Sequence, residues 1–538
     1  MPFSFQRLKP SQNPVATKPS QHPSRRRRLP PTMASSSRRL RAFKRWMSSN
    51  GIKFSDALEF LETQNSGICV KSKCDLKEGD LIATIPKIAC LTIRTSAASS
   101  MIEAADFDGL LGLSVAVMYE RSLGLKSPWC GYLDLLPKFE PLPFVWSLDD
   151  VDRLLCGTEL HKTIKEDKAL IYEDWKECIL PLIHSAEFAL DPKFFGVEDY
   201  FAAKSLIASR SFQIDDYHGS GMVPLADLFN HKTGAEDVHF TSAPSPDDSD
   251  DSADSVTDDE NDKNEEFQSE TSQCEDNGSS GASLVPSSLD GPNLESEDIP
   301  DNPLVLEMIL VKDVNAGAEV FNTYGSMGNA ALLHRYGFTE LDNPYDIVNI
   351  DIELVLPWSS SLFSNRHSRA RLSLWRKLGY SGCESENSEY FEVSYNGEPQ
   401  LELLSLLYII LLSEEAYTKL DLTLAFKGNS TESALTIMSK KGKVLEGEIS
   451  EMTSDMLLTK GVCKALISLA DIRERLYGTS LLEHEIENLS NCDCTTERKL
   501  YHSLVLRVSE RRILQKLRTY AEAGAKALRP HARKKLKS

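Results

Sequence analysis

The sequence of 538 residues predicts an α+β fold. Short apolar runs bounded by turn residues occur in two stretches, residues 67–86 and 304–321, and each predicts β-strands. Residues 100–210 instead carry apolar side chains at helical spacing, and so does the C-terminal third from about Leu372. We therefore expect small β-sheets interrupted by a helical insert and followed by an all-α C-terminal domain.

The N-terminal elements follow from local signals. Residues 54–61 predict a helix start, because Ser55 or Asp56 is placed to accept hydrogen bonds from the first free amides. Two short strands are then predicted at Gly67–Val70 and Leu81–Pro86, joined through the turn at Gly79.

Later elements are predicted in the same way. Strands are expected at Met222–Leu225, Leu304–Val311 and Glu319–Phe321, and the last two are separated by a turn over residues 313–317. The clearest C-terminal helices are predicted at Leu401–Ala416, Ser454–Ala470 and Thr495–Ala525.

The charge is concentrated in one segment. The net charge is −20, but residues 241–302 hold 19 Asp and Glu against the single Lys263, which leaves −2 for the rest of the chain. Residues 243–302 are therefore predicted to form an acidic disordered loop between two strands. It is either a tolerated surface insertion, or an electrostatic handle for a basic substrate or a phosphorylation segment.

The N-terminal segment is basic. The first 55 residues contain thirteen Lys or Arg and no acidic residue, as expected of a disordered leader. The composition fits an organelle transit peptide, a nuclear localisation signal or an extension ahead of a start at Met33. A second basic cluster at residues 529–537 favours the nucleus. We predict a nuclear or cytoplasmic protein, with a chloroplast or other organelle as the alternative.

Cysteine spacing and hydropathy argue against a disulfide-linked, metal-binding or membrane-spanning protein. The eleven Cys include no CxxC pair, which predicts unpaired thiols in a reducing compartment and no metal site. The longest apolar run, around Leu401–Leu412, is shorter than the roughly 20 residues of a membrane span.

Two motifs carry the functional signal. Residues 223–231 read VPLADLFNH, and residues 321–330 read FNTYGSMGNA. They resemble the two signature strands of SET-domain lysine methyltransferases. The stretches 129–137 and 498–514 further resemble the branch that has a helical insert and a C-terminal substrate-binding domain, typified by the Rubisco large-subunit and ribosomal-protein lysine methyltransferases. A match to both motifs is more specific than either alone.

The resemblance implies S-adenosylmethionine as the methyl donor and no metal. It makes Tyr324 the catalytic residue nearest the transferring methyl and Tyr336 a second tyrosine of the lysine channel. Arg210 would bind the donor's carboxylate, and Asp227 would brace the strand end. The resemblance implies that the methyl donor is bound by Gly67, Ile68, Cys69, Arg210, Asp227, Asn230, His231 and Tyr324.

The donor loop departs from the family pattern at two positions. The second Gly of the family loop is Cys69 here, and its Cβ is expected to narrow the donor's approach and to disfavour positive φ. The acidic residue that usually precedes the loop is Ser66.

The predicted organisation has five parts: a disordered basic leader at 1–40, an N-terminal SET portion at 41–95, a helical insert at 96–205, a C-terminal SET portion at 206–345 and a helical substrate-binding domain at 346–538. The predicted function is methylation of a lysine in a protein substrate, non-histone and either ribosomal or nuclear. The alternatives are a catalytically silent SET-fold interaction module and a protein-histidine methyltransferase. We expect a monomer that contacts neither nucleic acid nor membrane.

Overall fold

The structure is a computed structural model that describes residues 31–63, 67–185, 188, 190–242, 305–378, 389–427, 434–438, 444–448 and 454–528. The predictions made for the leader before residue 31, for Ser66, for the acidic segment 243–302 and for the basic cluster at 529–537 lie outside the described residues.

Helix α1 (Pro31–Ser49) is the first described element. Phe43 and Met47 lie four residues apart, on one face of the helix, and both are completely buried. Residues 31–40, which were predicted to belong to the disordered leader, are therefore part of a helix that packs on the core.

The next segment is a strand where the sequence predicted a helix start. After β1 (Lys53–Phe54), β2 (Leu58–Thr63) pairs antiparallel with β3 (Gly67–Ser72). Leu58 and Phe60 are buried while Glu59 between them is exposed, which is the two-residue period of a strand. The helix predicted at 54–61 is wrong because pairing with β3 outweighs the local capping signal.

Two antiparallel sheets form the centre of the β portion. The four-stranded sheet has the order β1-β4-β9-β8, and the three-stranded sheet has the order β5-β7-β6. Leu81 of β4 lies opposite Ile309 of β9, so segments from both ends of this portion share one sheet. The additional strands are β4 (Leu81–Pro86), β5 (Leu91–Thr92), β6 (Ser211–Asp215), β7 (Gly219–Met222), β8 (Val238–Ser242) and β9 (Val305–Leu310).

Helices fill the chain between β5 and β6, which confirms that this stretch is helical. Their buried faces join the same apolar core as the sheets. They are α2 (Ser99–Ala104), α3 (Gly109–Leu123), α4 (Cys130–Leu133), α5 (Leu148–Leu154), α6 (Leu160–Asp174), α7 (Leu180–His184) and α8 (Val197–Arg210).

The C-terminal region is mainly helical, and the predicted α+β class is confirmed. It also contains two two-stranded sheets, β10 (Val348–Asp351) with β11 (Tyr390–Val393) and β12 (Ala434–Met438) with β13 (Val444–Glu448). The helices are α9 (Asn329–Tyr336), α10 (Ile352–Leu362), α11 (Asn365–Lys377), α12 (Leu401–Ile410), α13 (Glu414–Lys427), α14 (Ser454–Leu457), α15 (Lys460–Glu474), α16 (Leu482–Asn491) and α17 (Arg498–Ala527).

The buried apolar side chains form two clusters. The first runs from Phe43 to Leu333 and includes Leu506 of α17, and the second runs from Val348 to Ala521. The second cluster begins close to the predicted domain boundary at 345/346, while the five-part division itself stays a prediction. No described helix is long and apolar enough to cross a membrane.

The insert contacts the C-terminal helices through a short loop. Arg473 of α15 donates hydrogen bonds to the Gly157 carbonyl at 2.5 Å and to Glu159 Oε1 at 2.8 Å. Gly157 has a φ of 82°, and a Cβ there would lie 2.6 Å from the backbone of Leu476. The loop and the C-terminal helices therefore approach each other too closely for any other residue at this position.

Candidate active site

The first motif starts where β7 ends. Leu225 has φ 81° and ψ −49°, a backbone conformation that residues with a Cβ rarely adopt, and it is completely buried. A 3-10 turn at Ala226–Leu228 follows. The predicted strand Met222–Leu225 therefore ends at Met222, and the chain bends sharply into residues 227–231. Strained residues of this kind cluster at functional sites, where the surrounding packing enforces them.

His231 and Tyr324 join the two motifs. The Asn322 amide donates to the Asn230 carbonyl at 2.9 Å, and the Tyr324 amide donates to His231 Nδ1 at 3.0 Å. The rings of His231 and Tyr324 stack with centroids 5.0 Å apart. Burial lowers the pKa of His231, so its neutral imidazole accepts at Nδ1 near pH 7. These contacts fix Tyr324 against the Asn-His turn.

Four rings form one aromatic group around Tyr324. Tyr336 stacks on Tyr324 at a centroid distance of 4.3 Å, and Phe338 lies 6.4 Å from Tyr336 and 6.2 Å from His231. Tyr324 Oη donates to the Phe229 carbonyl at 3.1 Å. The structure thus brings together both predicted channel tyrosines, and it adds Phe338, which the sequence showed only as the third residue of Tyr-Gly-Phe.

Both phenols stay protonated at neutral pH. Burial raises the pKa of Tyr324, and the positive charge of Arg210 offsets only part of that rise. Burial also raises the pKa of Tyr336. The two hydroxyls therefore serve as hydrogen-bond donors and acceptors rather than as general bases.

Arg210 lies in an ionic network next to the Asn-His turn. Its Nε donates to Glu140 Oε1 at 2.7 Å, and its Nη1 donates to the carbonyl of Asp227 at 3.0 Å and to Asp227 Oδ2 at 3.2 Å. Tyr132 donates to the same Asp227 oxygen at 3.0 Å. Burial alone would lower the pKa of Arg210, but the two carboxylates raise it overall. Two of the three guanidinium nitrogens of Arg210 are therefore held by protein groups.

Asn230 connects this turn to strand β3. Asn230 Nδ2 donates to Glu319 Oε1 at 2.7 Å, and Glu319 forms an antiparallel bridge with Lys71 of β3. The Val320 amide donates to the Val70 carbonyl at 2.8 Å. Strand β3 also contacts the 3-10 turn at 226–228. The C-terminal half of β3, the first motif and the second motif therefore form one structural unit.

The predicted donor loop is the first half of β3. Gly67 has a φ of 76° and open space where a Cβ would stand, and Ile68 is half-buried. Cys69 is 2% exposed, pairs with Leu61 and has a negative φ. The expected conflict between Cys69 and a positive φ is therefore wrong, because the residue lies in ordinary strand backbone. Burial and the nearby Glu319 raise the pKa of its thiol.

The guanidinium of Arg210 suits the carboxylate of S-adenosylmethionine. Asp227 Oδ1 is buried and has no hydrogen-bond partner among the described residues. Arg210 donates through Nε and Nη1, and its Nη2 has no acceptor among the residues that the structure describes. A buried carboxylate oxygen without a partner costs about 1–3 kcal/mol. The Asp227 side chain has no exposed surface, whereas the Arg210 side chain is 23% exposed, so Arg210 is the group of this pair that a ligand's carboxylate can reach.

Sequence comparisons find lysine methyltransferases. The chain is 27% identical over 382 residues to ribosomal lysine N-methyltransferase 3 of Saccharomyces cerevisiae, covering 61% of this chain and 66% of that protein. It is 27% identical over 367 residues to N-lysine methyltransferase setd6 of Salmo salar, covering 64% and 67%. The matches with curated relatives thus span about two thirds of the relative's length or less. A scan against protein-family models finds no match.

Structural comparison decides the fold. Rubisco LSMT bound to AdoMet superposes with a TM-score of 0.56 and 17% identity over 90% of this chain and 92% of that chain. The SET domain of LSMT bound to lysine and AdoHcy gives a TM-score of 0.57 and 18% identity over 90% and 91%. The fold is that of the Rubisco LSMT SET-domain structures. The predicted SET fold with its helical insert and helical C-terminal region is confirmed.

Within this SET fold, the structure adds site neighbours that the motifs did not identify. Tyr132, Glu140 and Glu319 each bond directly to a predicted site residue. Glu319 could have been recognised from its place beside the second motif. Tyr132 and Glu140 lie in the helical insert, far from both motifs in sequence. The stretch 129–137 contains Tyr132 and carried part of the family resemblance, but it did not mark Tyr132 as a site residue, and no signal marked Glu140.

Proposed function

We propose that this protein is an S-adenosylmethionine-dependent protein-lysine N-methyltransferase. The observation that carries the proposal is the stacked group of His231, Tyr324 and Tyr336, fixed by a hydrogen bond to the Asn-His turn within a SET fold. The names of the sequence relatives support lysine as the target residue.

We propose that Asn230, His231, Arg210, Asp227 and the backbone of residues 67–69 hold the methyl donor, as the resemblance implies. Arg210 supports this assignment, because its side chain is 23% exposed and its Nη2 has no acceptor among the described residues. When bound, S-adenosylmethionine supplies the electrophilic methyl group that a neutral lysine amine takes from its sulfonium.

The aromatic group suits the acceptor lysine. A free lysine has a pKa near 10.4, so an apolar channel is required to favour the neutral amine by desolvation. The faces of the Tyr324 ring are covered by His231 and Tyr336, so we propose that Tyr324 lines this channel through its hydroxyl edge. The ring of Tyr336 would stabilise the positive charge that develops on the nitrogen. Because the pKa of each phenol is raised, neither hydroxyl takes the amine proton. The Tyr324 hydroxyl and the Phe229 carbonyl instead orient the amine.

One experiment tests the activity and both alternatives. The purified full chain is incubated with labelled S-adenosylmethionine and a soluble extract, and the labelled proteins are digested and sequenced by mass spectrometry. We expect label on lysine. Label on histidine would support the histidine methyltransferase alternative and contradict the lysine assignment.

Donor binding measured by calorimetry distinguishes an enzyme from a catalytically silent SET-fold interaction module. We expect the full chain to bind S-adenosylmethionine, because Cys69 leaves the backbone of β3 in a regular strand. A chain that folds but binds no donor would refute the methyltransferase proposal and leave an interaction module. Donor binding without transfer to any protein in several extracts would also count against it.

The substrate and the compartment follow as finer proposals. We propose a non-histone protein substrate that is ribosomal or nuclear, and a monomeric enzyme in the nucleus or cytoplasm. Affinity capture of labelled proteins would identify the substrate, and light scattering would give the oligomeric state. Fluorescent fusions of the full chain and of a chain starting at Met33 would show whether residues 1–32 send the protein to an organelle instead.

A further inference from the structure

A segment of the helical insert reaches the proposed donor site. Tyr132 of α4 and Glu140 each bond to a residue of the site. The side chain of Tyr132 is completely buried, and that of Glu140 is 12% exposed. Both groups therefore act in an environment where hydrogen bonds and charges are weakly screened.

Glu140 fixes the orientation of Arg210. Its Oε1 accepts from Arg210 Nε at 2.7 Å, while Asp227 accepts from Nη1 through two oxygens. A guanidinium is planar, so fixing Nε and Nη1 also fixes the position of the unpaired Nη2. Without Glu140, the Arg210 side chain would keep only the bonds at Nη1 and could rotate about its long stem.

Tyr132 fixes the orientation of the Asp227 carboxylate. Its hydroxyl donates to Oδ2 at 3.0 Å, and Arg210 Nη1 donates to the same oxygen at 3.2 Å. The other oxygen, Oδ1, is buried and has no hydrogen-bond partner among the described residues. Two donors on Oδ2 hold the carboxylate plane, and because the Asp227 side chain has no exposed surface, the carboxylate acts by fixing Arg210 Nη1.

The segment that carries these two residues is itself held at several points. Arg39 of α1 donates to the Asp134 carbonyl at 2.7 Å, and Arg121 of α3 donates to the Pro137 carbonyl at 2.7 Å. The Glu140 amide donates to Ser205 Oγ at 3.0 Å. These bonds anchor the segment to three different helices, so Tyr132 and Glu140 are presented from a fixed scaffold.

We propose that Tyr132 and Glu140 are positioning residues of the donor site, acting through Asp227 and Arg210 respectively. The inference rests on the proposed methyltransferase function. It assigns the helical insert a part in holding S-adenosylmethionine: the insert fixes the guanidinium of Arg210, directly through Glu140 and indirectly through Tyr132 and Asp227, so that Nη2 complements the carboxylate of the donor's amino-acid end.

The test is the dissociation constant for S-adenosylmethionine, measured by calorimetry on the full chain without any protein substrate. We expect Glu140→Ala to raise the constant tenfold or more and Tyr132→Phe to raise it about fivefold. Glu140→Gln keeps an oxygen acceptor for Arg210 Nε and should stay within about threefold of the wild type. Circular dichroism checks that each variant is folded.

Two matched controls lie on helix α6 of the same insert. Among the described residues Glu166 is paired only with Lys162 at the surface, and Tyr172 is 50% exposed; no bond from either to the site is found in this part of the chain. Glu166→Ala and Tyr172→Phe should leave the dissociation constant within twofold. A general disturbance of the insert would instead affect the controls and the site variants alike.

A double-mutant cycle separates positioning from a merely structural role. If Glu140 acts through Arg210, Glu140→Ala should change the dissociation constant less than twofold when Arg210 is already replaced by Gln. An equal loss in both backgrounds would overturn the inference, and so would wild-type affinity in both Glu140→Ala and Tyr132→Phe. Failure of the wild-type chain to bind the donor would instead refute the proposed function, and the inference with it.

Discussion

Replacing Tyr324 by Phe removes one hydroxyl from the centre of the aromatic group. The hydroxyl donates to the Phe229 carbonyl at 3.1 Å, whereas the ring stacks on His231 and Tyr336 at 5.0 and 4.3 Å. Phe keeps the ring, and the main-chain bond from residue 324 to His231 Nδ1 does not depend on the side chain. The change is therefore confined to one polar group at the proposed lysine channel.

The expected changes in stability, donor affinity and turnover follow from the loss of this single hydroxyl. Loss of one buried hydrogen bond should lower the free energy of unfolding by about 1 kcal/mol. Donor affinity should change less than about threefold, because Phe keeps the ring of residue 324 and the other residues assigned to the donor keep their contacts. Turnover should fall at least about tenfold, or about 1.4 kcal/mol in activation free energy, because an amine that is no longer oriented by the phenol spends less time aligned with the methyl group.

The assay compares turnover in the labelled-donor reaction with donor affinity from calorimetry. Tyr345→Phe is the matched control, because Tyr345 is 44% exposed and its ring belongs to no described aromatic pair. Unchanged turnover in Tyr324→Phe would refute the reasoning. Equal losses of turnover and donor affinity would also contradict it, because they would place the hydroxyl in donor binding rather than in amine orientation.

Three further predictions concern stability. Burial and a neighbouring Arg lower the pKa of His502 to about 3, so the unfolded chain takes up the proton first and the free energy of unfolding should fall as pH drops below about 6.5. Between pH 7 and pH 5, urea unfolding should show that the wild type loses roughly 2 kcal/mol more than His502→Asn. Equal losses in the two proteins would disprove this. Gly157→Ala should cost about 2 kcal/mol or more, because its Cβ would meet the Leu476 backbone and φ is 82°; an unchanged unfolding midpoint would exclude the clash. Arg473→Met removes a buried cation from the partly buried Glu159 and should cost about 3 kcal/mol. Thermal unfolding can check this against the exposed control Arg475→Met, and equal midpoints would show that the ion pair contributes nothing to stability.

The sequence located the chemistry more accurately than the secondary structure around it. Asn230, His231 and Tyr324 were predicted together from two motifs, and the structure joins them by a main-chain bond to the His ring and by stacking. The helix predicted at 54–61 is a strand because its pairing partner, β3, outweighs a capping signal that any Ser-Asp pair can give.

Two other predictions changed for reasons that only the folded backbone shows. The strand predicted through Leu225 stops at Met222, because buried packing holds Leu225 at a positive φ that its residue type does not favour. The concern at Cys69 rested on the backbone of a glycine in related proteins. In this chain the position is a regular strand residue, so the substitution leaves the backbone of the loop intact.

The sequence by itself determined the α+β class, the segment that carries the negative charge and the residues of the two motifs. These features are local: a helical period, a run of acidic residues and a short motif that resembles a known family are all visible within a short window. Tertiary structure alone decided which groups surround Arg210 and Asp227. Glu140 and Tyr132 are brought there by the packing of the insert, and hydrogen bonds between residues so distant in sequence leave no pattern that a single chain displays.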